Sequence, residues 1–258
     1  MTATGIELRL NRISRDGRYV MIPMDHGLTL GPTRGLDTLE ATIETVTANG
    51  ADAVVLHRGN LSRTLDAPPG LGRIVHLNGA TSLTPEPNDK RTVCSVESAL
   101  TFGADAVSFH LNVGSRYEGR QLEELGSAIE QAHAFGLPVL AMAYPRGPDT
   151  HEDDPTHVAH AVRLAAELDA DVIKTSYPGS GFDQAVDAVD TPVIIAGGTP
   201  AGDLATLESV AAAMSAGAVG VSMGRTIFQH DDPGAMTAAV AAIVHDGATA
   251  ESAQNTHL

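Results

Sequence analysis

Lys174 is the residue of this sequence that is best suited to covalent chemistry. The chain has only two lysines, Lys90 and Lys174, and Lys174 lies within residues 170–177, a largely apolar run that is typical of a buried strand. Burial disfavours the charged ammonium, and a neutral amine is a nucleophile that attacks carbonyl carbons. A strand lysine can instead extend its ammonium to solvent or pair with a carboxylate, so other residues must decide between these interpretations.

Asp25 and Tyr144 could perform the proton transfers that imine chemistry at Lys174 requires. In that chemistry the amine attacks a ketone, and a carboxylate such as Asp25 can transfer protons while the carbinolamine forms and loses water. Tyr144 can exchange a proton with the substrate hydroxyl that becomes alkoxide-like as a carbon–carbon bond breaks. Alternatively, Asp25 caps a loop and Tyr144 is a hydrogen-bonded phenol of the core. The imine hypothesis therefore requires a fold that brings the three side chains together.

Eight short apolar runs predict the strands that would hold these residues. They alternate with amphipathic segments typical of helices, and glycines such as Gly50 and Gly103 follow helices and lead into strands. This alternation predicts one α/β domain over residues 1–258, a closed (β/α)8 barrel of the TIM type. A short helical segment at about residues 1–15 would close its floor, and residues 247–258 would form a mobile tail. The predicted strands are residues 19–25, 53–57, 74–77, 106–111, 139–144, 172–175, 193–196 and 219–223.

The barrel predicts that Asp25, Tyr144 and Lys174 face one space. Reactive groups in such barrels collect at the carboxyl ends of the strands, where all three residues lie. Residues two apart share a strand face, so Asp25 lies on the face of Met21 and Lys174 on the face of Val172. We therefore expect an acid, a phenol and an amine to converge at one end of the barrel.

Glycines after the last two predicted strands indicate a phosphate site. Gly197 and Gly198 follow the seventh strand, and Gly224 and Arg225 follow the eighth. These loops bind phosphate through backbone N–H groups in many barrels, and a guanidinium adds charge. The glycines could also serve only to shape turns. A phosphorylated substrate is the functional prediction.

Three histidines raise the alternative of a metal-dependent aldolase. His57, His76 and His110 lie in or beside predicted strands, but no compact H-x-H or H-E-x-x-H spacing occurs near them. The sequence therefore predicts neither a metal site nor a cofactor, because a lysine imine is itself the electron sink.

The composition argues against several classes of partner. The chain has 32 acidic and 16 basic residues and a net charge of −16, which repels nucleic acid and anionic membrane surfaces. The shortage of lysine indicates adaptation to a high-salt cytoplasm, with an ordinary acidic protein as the alternative. Cys94 is the only cysteine, and the N-terminus lacks a basic segment followed by an apolar one. We expect a soluble cytoplasmic protein.

Six segments of the sequence form a recognisable set: DHGLTLGP (25–32), NVGS (112–115), YPRG (144–147), IKTSY (173–177), AGG (196–198) and GRTIFQ (224–229). Together they resemble the archaeal class I aldolase family, which comprises fructose-bisphosphate aldolases and their relatives. The resemblance extends over about residues 12–245 and implies a TIM barrel, Schiff-base chemistry, and rings of five or ten subunits.

The resemblance also implies roles for individual residues. It matches the Schiff-base lysine to Lys174, the proton donor to Tyr144 and the proton-accepting aspartate to Asp25. It places substrate contacts at Asp25, His26, Gly27, Leu28, Thr29, Tyr144, Pro145, Arg146, Lys174, Gly197, Gly198, Gly224 and Arg225.

Within the family, three features favour a transaldolase over a fructose-bisphosphate aldolase: residues 28–30 (LTL), Met142 where bisphosphate aldolases tend to have tryptophan, and residues 175–176 (TS) after the lysine. This likeness implies transfer of a three-carbon fragment of the phosphosugar 6-deoxy-5-ketofructose 1-phosphate to L-aspartate semialdehyde, for aromatic amino-acid biosynthesis. Arg58 and Arg146 are candidates for the semialdehyde carboxylate. A class I fructose-bisphosphate aldolase and a noncatalytic phosphosugar-binding protein remain alternatives.

Overall fold

The computed structural model describes residues 3–198 and 202–258. In these residues it has ten strands: β1 (Tyr19–Pro23), β2 (Ala53–Leu56), β3 (Gly72–His76), β4 (Asn78–Gly79), β5 (Arg91–Thr92), β6 (Ala106–Val113), β7 (Val139–Pro145), β8 (Val172–Thr175), β9 (Val193–Ala196) and β10 (Gly220–Ser222).

Helices connect most of these strands, and a 3-10 helix spans Arg58–Thr64. The α-helices are α1 (Ala3–Leu10), α2 (His26–Leu30), α3 (Leu39–Ala48), α4 (Val96–Thr101), α5 (Glu118–Ala134), α6 (Pro155–Glu167), α7 (Phe182–Asp187), α8 (Asp203–Ser215), α9 (Arg225–Phe228), α10 (Pro233–Asp246) and α11 (Ala250–His257).

Eight parallel strands close into a barrel in the order β1-β10-β9-β8-β7-β6-β3-β2. Each of the eight predicted strands overlaps one of them, so the predicted single-domain (β/α)8 barrel is confirmed. Strands β4 and β5 form a separate antiparallel ribbon, in which Asn78 pairs with Thr92 and Gly79 pairs with Arg91. The sequence did not predict this ribbon, which follows β3 at the end of the barrel where β3 terminates.

Side chains alternate between the barrel interior and the layer beneath the helices. Met21 and Val172 belong to the interior cluster, whereas their neighbours Val20 and Ile173 pack under the helices. Each such buried aliphatic side chain contributes about 1.5–3 kcal/mol relative to exposure. The two layers fix which residues of each strand point inward, as the alternation predicted.

Two helices begin at Asp-Pro pairs that satisfy their free N–H groups. The Asp154 carboxylate accepts a hydrogen bond of 2.8 Å from the Thr156 N–H at the start of α6. Asp232 accepts one of 2.9 Å from the Ala235 N–H at the start of α10. Proline in the first turn loses nothing, because its missing N–H has no partner in the helix.

The N-terminal segment closes the barrel floor. Helix α1 ends at Leu10, and Ile13, which is 1% exposed, joins the interior cluster. A Cβ added at Gly72 would lie 2.7 Å from Ile13 Cγ2, so the start of β3 packs directly on this residue. The predicted helical segment at this end of the chain is confirmed.

The C-terminal residues differ from the prediction of a mobile tail. Gly247 adopts a left-handed conformation (φ 69°) that ends α10, and the Thr249 side chain then accepts from the Ser252 N–H to start α11. Ala250 and Ala253 of α11 are buried in the cluster beneath the helices. The segment forms a helix because it caps its own start and buries alanines. No helix of residues 3–198 and 202–258 is long and apolar enough to cross a membrane.

Candidate active site

A cavity of about 490 Å³ opens at the carboxyl end of the barrel strands. Asp25, Tyr144 and Lys174 all line it, as the barrel topology predicted. The other predicted contact residues that line it are His26, Thr29, Arg146, Gly197, Gly198, Gly224 and Arg225.

Three predicted contact residues do not line this cavity. Gly27 borders a separate surface depression. Leu28 packs instead against the ribbon, where a Cβ added at Gly79 would lie 2.7 Å from Leu28 Cδ2. Pro145 follows Tyr144 directly in β7, so alternation turns it away from the interior. Substrate contacts at these three positions remain a prediction, since none of the three lines the cavity directly.

Lys174 projects from β8 into the base of the cavity. It pairs in register with Met142 of β7 and Ile194 of β9, and both belong to the interior cluster. Lys174 is 7% exposed, and burial lowers its pKa to about 8 despite the opposing charge of Asp25. About one amine in ten is then neutral at pH 7, compared with a few in ten thousand for an ordinary lysine. The environment thus prepares a nucleophile.

Asp25 follows β1 and immediately precedes α2. Its carboxylate lies 3.5 Å from His26 Nδ1 and 3.8 Å from His76 Nε2. Burial alone would raise the pKa of Asp25. In the acidic range where Asp25 titrates, the positive charges of His76, His26, His57 and Lys174 outweigh burial and hold that pKa below its ordinary value. Asp25 is therefore a carboxylate at neutral pH and can accept a proton.

Tyr144 lies on β7 with its ring enclosed by two other side chains. The Arg146 guanidinium carbon is 4.4 Å from the ring centroid, and the His110 ring is 5.1 Å away. Burial raises the pKa of Tyr144 above its ordinary value, although Arg146 acts in the opposite direction. The phenol is therefore protonated at neutral pH and can donate a proton, which complements Asp25.

The two candidate arginines lie in different environments. Arg146 lines the cavity, where its Nε donates to the Glu152 carboxylate and its Nη1 lies 3.3 Å from His110 Nε2. Arg58 lies outside the cavity and donates to Ser98 Oγ at 3.3 Å on the surface. Of the two candidates, only Arg146 is placed to contact a substrate in the cavity.

The glycine loops approach the cavity from β9 and β10. Gly198 has a left-handed conformation (φ 62°), and Gly197 lies beside Thr226. A Cβ added at Gly224 would lie 2.5 Å from His26 Cε1 and 2.9 Å from the Pro23 carbonyl. Packing alone therefore explains the glycine at 224, because the absence of a side chain lets the start of α9 approach α2.

The histidines, which the sequence raised only as possible metal ligands, surround Asp25 and Tyr144. His57, His76 and His110 all line the cavity. The His76 Nδ1 atom lies 2.9 Å from Ser108 Oγ, and burial lowers the pKa of His76 to about 4. These rings are neutral at pH 7 and form a polar, uncharged wall beside the carboxylate.

Lys90 is a cavity residue that the sequence interpretation missed. It lies in the loop just before β5 and reaches the cavity from the side of β3. Burial and the nearby charge of Arg146 lower its pKa. The sequence held one indication that Lys90 is functional, because it is one of only two lysines in the chain. Both lysines line this cavity.

Comparison with known proteins shows which family the chain belongs to. The family profile described as DeoC/LacD family aldolase matches residues 19–230. The chain belongs to the DeoC/LacD family of aldolases. The likeness to archaeal class I aldolases inferred from the six segments is thereby confirmed.

Relatives of this DeoC/LacD aldolase include two synthases of seven-carbon amino acids. It is 56% identical, over 98% of its length and 96% of the relative's, to the 2-amino-3,7-dideoxy-D-threo-hept-6-ulosonate synthase of Halobacterium salinarum. It is 39% identical, over 96% of its length and 93% of the relative's, to the 2-amino-4,5-dihydroxy-6-oxo-7-(phosphonooxy)heptanoate synthase of Streptomyces griseus.

A solved structure with the same barrel fold holds its substrate covalently on a lysine. It is an archaeal fructose-1,6-bisphosphate aldolase with its catalytic lysine covalently bound to the carbinolamine intermediate of the substrate. This DeoC/LacD aldolase matches it with a TM-score of 0.83 and 31% identity, over 93% of this chain and 99% of that one.

Proposed function

We propose that this aldolase catalyses the reaction of the 2-amino-3,7-dideoxy-D-threo-hept-6-ulosonate synthases. The donor would be 6-deoxy-5-ketofructose 1-phosphate, and the acceptor would be L-aspartate semialdehyde. The observation that carries the proposal is the buried Lys174 amine, which shares one cavity with a carboxylate and a protonated phenol. The 56% identity to a synthase of that name supports the choice of substrates.

The first half of the reaction breaks the donor. The neutral Lys174 amine attacks the donor ketone, and Asp25 transfers a proton from nitrogen to oxygen as the carbinolamine forms. The Tyr144 phenol then supplies the proton with which the carbinolamine hydroxyl leaves as water, and it becomes a phenolate. The resulting iminium withdraws electrons from the neighbouring carbon–carbon bond. That bond breaks as the donor hydroxyl gives its proton to the Tyr144 phenolate and so restores the phenol. An aldehyde carrying the phosphate leaves, and a three-carbon enamine stays on Lys174.

The second half builds the product. The enamine carbon attacks the semialdehyde carbonyl, and Tyr144 returns a proton to the new hydroxyl. Water then hydrolyses the imine and releases the seven-carbon product, which joins four acceptor carbons to three donor carbons. The atoms balance without a cofactor, because the water lost in imine formation is regained here. Gly197, Gly198, Gly224 and Arg225 are proposed to bind the phosphorylated donor.

Substrate assays test this function directly. The protein should condense L-aspartate semialdehyde with the donor, and borohydride should trap the donor fragment on the peptide that contains Lys174. Lys174→Met should lose both signals. Robust cleavage of fructose 1,6-bisphosphate without turnover of the semialdehyde would instead establish a bisphosphate aldolase, and loss of activity in EDTA would establish a metal-dependent one.

We also propose a cytoplasmic homo-oligomer adapted to high salt. The support is the excess of 32 acidic over 16 basic residues and the resemblance to ring-forming aldolases. Thermal melts with and without molar KCl test the salt adaptation, and equal stability would refute it. Light scattering with and without molar KCl measures the oligomeric state, and a monomer under both conditions would refute the proposed homo-oligomer.

A further inference from the structure

Lys90 brings a positive charge to the cavity and forms no ion pair among the described residues, although Asp25 attracts it from farther away. The neighbouring Asp89 carboxylate accepts from Arg91 at 2.8 Å and also pairs with Arg120. Across residues 3–198 and 202–258, no carboxylate lies within ion-pair distance of the Lys90 ammonium. A partly buried ammonium without a partner is unfavourable, so its position is explained best by an anion that binds there.

The loop that carries Lys90 is held in place by buried amides. The Asn88 carbonyl accepts from Gln121 Nε2 at 2.6 Å and from Asn112 Nδ2 at 3.2 Å. The Asn88 side chain donates to the Arg146 carbonyl at 3.1 Å, and Arg120 donates to the Lys90 carbonyl at 3.0 Å. The Lys90 backbone is therefore positioned before any ligand arrives, which reduces the entropy lost on binding.

Lys90 is separate from the glycine loops. In the barrel order, β3, which precedes the loop of Lys90, lies four strands from β9 in either direction. Lys90 and Gly197 thus approach the cavity from opposite sides, and they suit two different anions. The proposed reaction has two, the donor phosphate and the acceptor carboxylate.

The charges near Lys90 suit an amino acid better than a phosphate. Arg146 and Glu152 pair with each other on the cavity wall, and Lys90 adds one positive charge. Because Glu152 offsets the charge of Arg146, Lys90 contributes about one net positive charge, which suits the single negative charge of a carboxylate better than the two of a phosphate dianion. Both named synthases make 2-amino acids, which is consistent with this acceptor chemistry.

We propose that Lys90 binds the carboxylate of the acceptor aldehyde and thereby selects an amino-acid aldehyde over an uncharged one. The assignment rests on the proposed function. Lys90 acts by positioning the acceptor carbonyl against the enamine on Lys174, and it takes no part in proton transfer or covalent chemistry.

The test compares three acceptors in wild type, Lys90→Met and Lys90→Arg. L-aspartate semialdehyde carries the carboxylate and the ammonium, succinic semialdehyde carries only the carboxylate, and butyraldehyde carries neither. Lys90→Met should lower kcat/KM for the two carboxylates at least about tenfold, the usual effect of a lost charge-assisted hydrogen bond. Butyraldehyde turnover, the donor KM and borohydride trapping of the donor should change less than about twofold. Lys90→Arg should restore part of the loss.

Arg58→Met is the matched control, because it removes one positive charge outside the cavity. It should leave all three acceptors unchanged, which separates binding at Lys90 from a change in net charge. If Lys90→Met lowers kcat/KM equally for all three acceptors, or raises only the donor KM, the assignment is overturned while the proposed function stands. If the wild type turns over no carboxylate aldehyde, both fail together.

Discussion

Replacing Lys174 with methionine should stabilise the protein while it abolishes imine formation. Lys174 is almost fully buried, and burial lowers its pKa from 10.5 to about 8. A pKa change of one unit corresponds to about 1.4 kcal/mol. Keeping Lys174 buried therefore lowers the free energy of unfolding of the wild type by roughly 3 kcal/mol at pH 7. Methionine has a similar shape without the charge, so the free energy of unfolding should rise by up to about 3 kcal/mol.

The pH dependence of this gain has a definite sign. The pKa of Lys174 is lower in the folded protein, so between pH 8 and pH 10.5 the unfolded chain binds more protons than the folded one. The stability of the wild type therefore rises with pH across this window, while the variant lacks this group. The gain from Lys174→Met should be complete below about pH 8 and should vanish as the pH rises through about 10.5.

Urea unfolding followed by circular dichroism at several pH values measures this difference between the two proteins. Arg58→Met serves as the control, because it also replaces a cationic side chain by methionine but at an exposed position. Borohydride trapping confirms the loss of the imine. A variant that is less stable than wild type at pH 7, or a gain that is equal at pH 7 and pH 10.5, would refute the reasoning.

Three further predictions concern the same cavity. Tyr144→Phe should slow carbon–carbon cleavage about 10²–10⁴-fold while borohydride still traps the donor on Lys174; unimpaired cleavage would remove Tyr144 from the mechanism. Gly224→Ala should destabilise the protein by about 1–3 kcal/mol because its Cβ meets His26, whereas Gly59→Ala, where a Cβ meets nothing within 4 Å, should be close to neutral in the same denaturation assay. The rate of donor trapping should rise with pH to a plateau with a midpoint near 8; a midpoint near 10 would contradict the lowered pKa of Lys174.

Strand periodicity alone predicted the barrel and three of its cavity residues. Strand periodicity is local, so apolar runs identified all eight barrel strands and assigned Asp25, Tyr144 and Lys174 to inward positions. The same alternation, applied strictly, would have turned Pro145 away from the cavity, and the family likeness placed it there instead. The family resemblance covers runs of consecutive residues, whereas only every second residue of a barrel strand faces the barrel interior.

Residues outside the regular elements depended on the tertiary structure. The loop between β4 and β5 has no periodic pattern, and Lys90 reaches the cavity only because Asn112 and Gln121, far away in the sequence, donate to Asn88. Likewise, α11 forms where the sequence indicated a mobile tail, because its alanines meet α8 and α10. Side-chain alternation along a strand is decided by the backbone itself. The positions of loops and terminal helices are decided by contacts between distant residues, and those exist only once the barrel has closed.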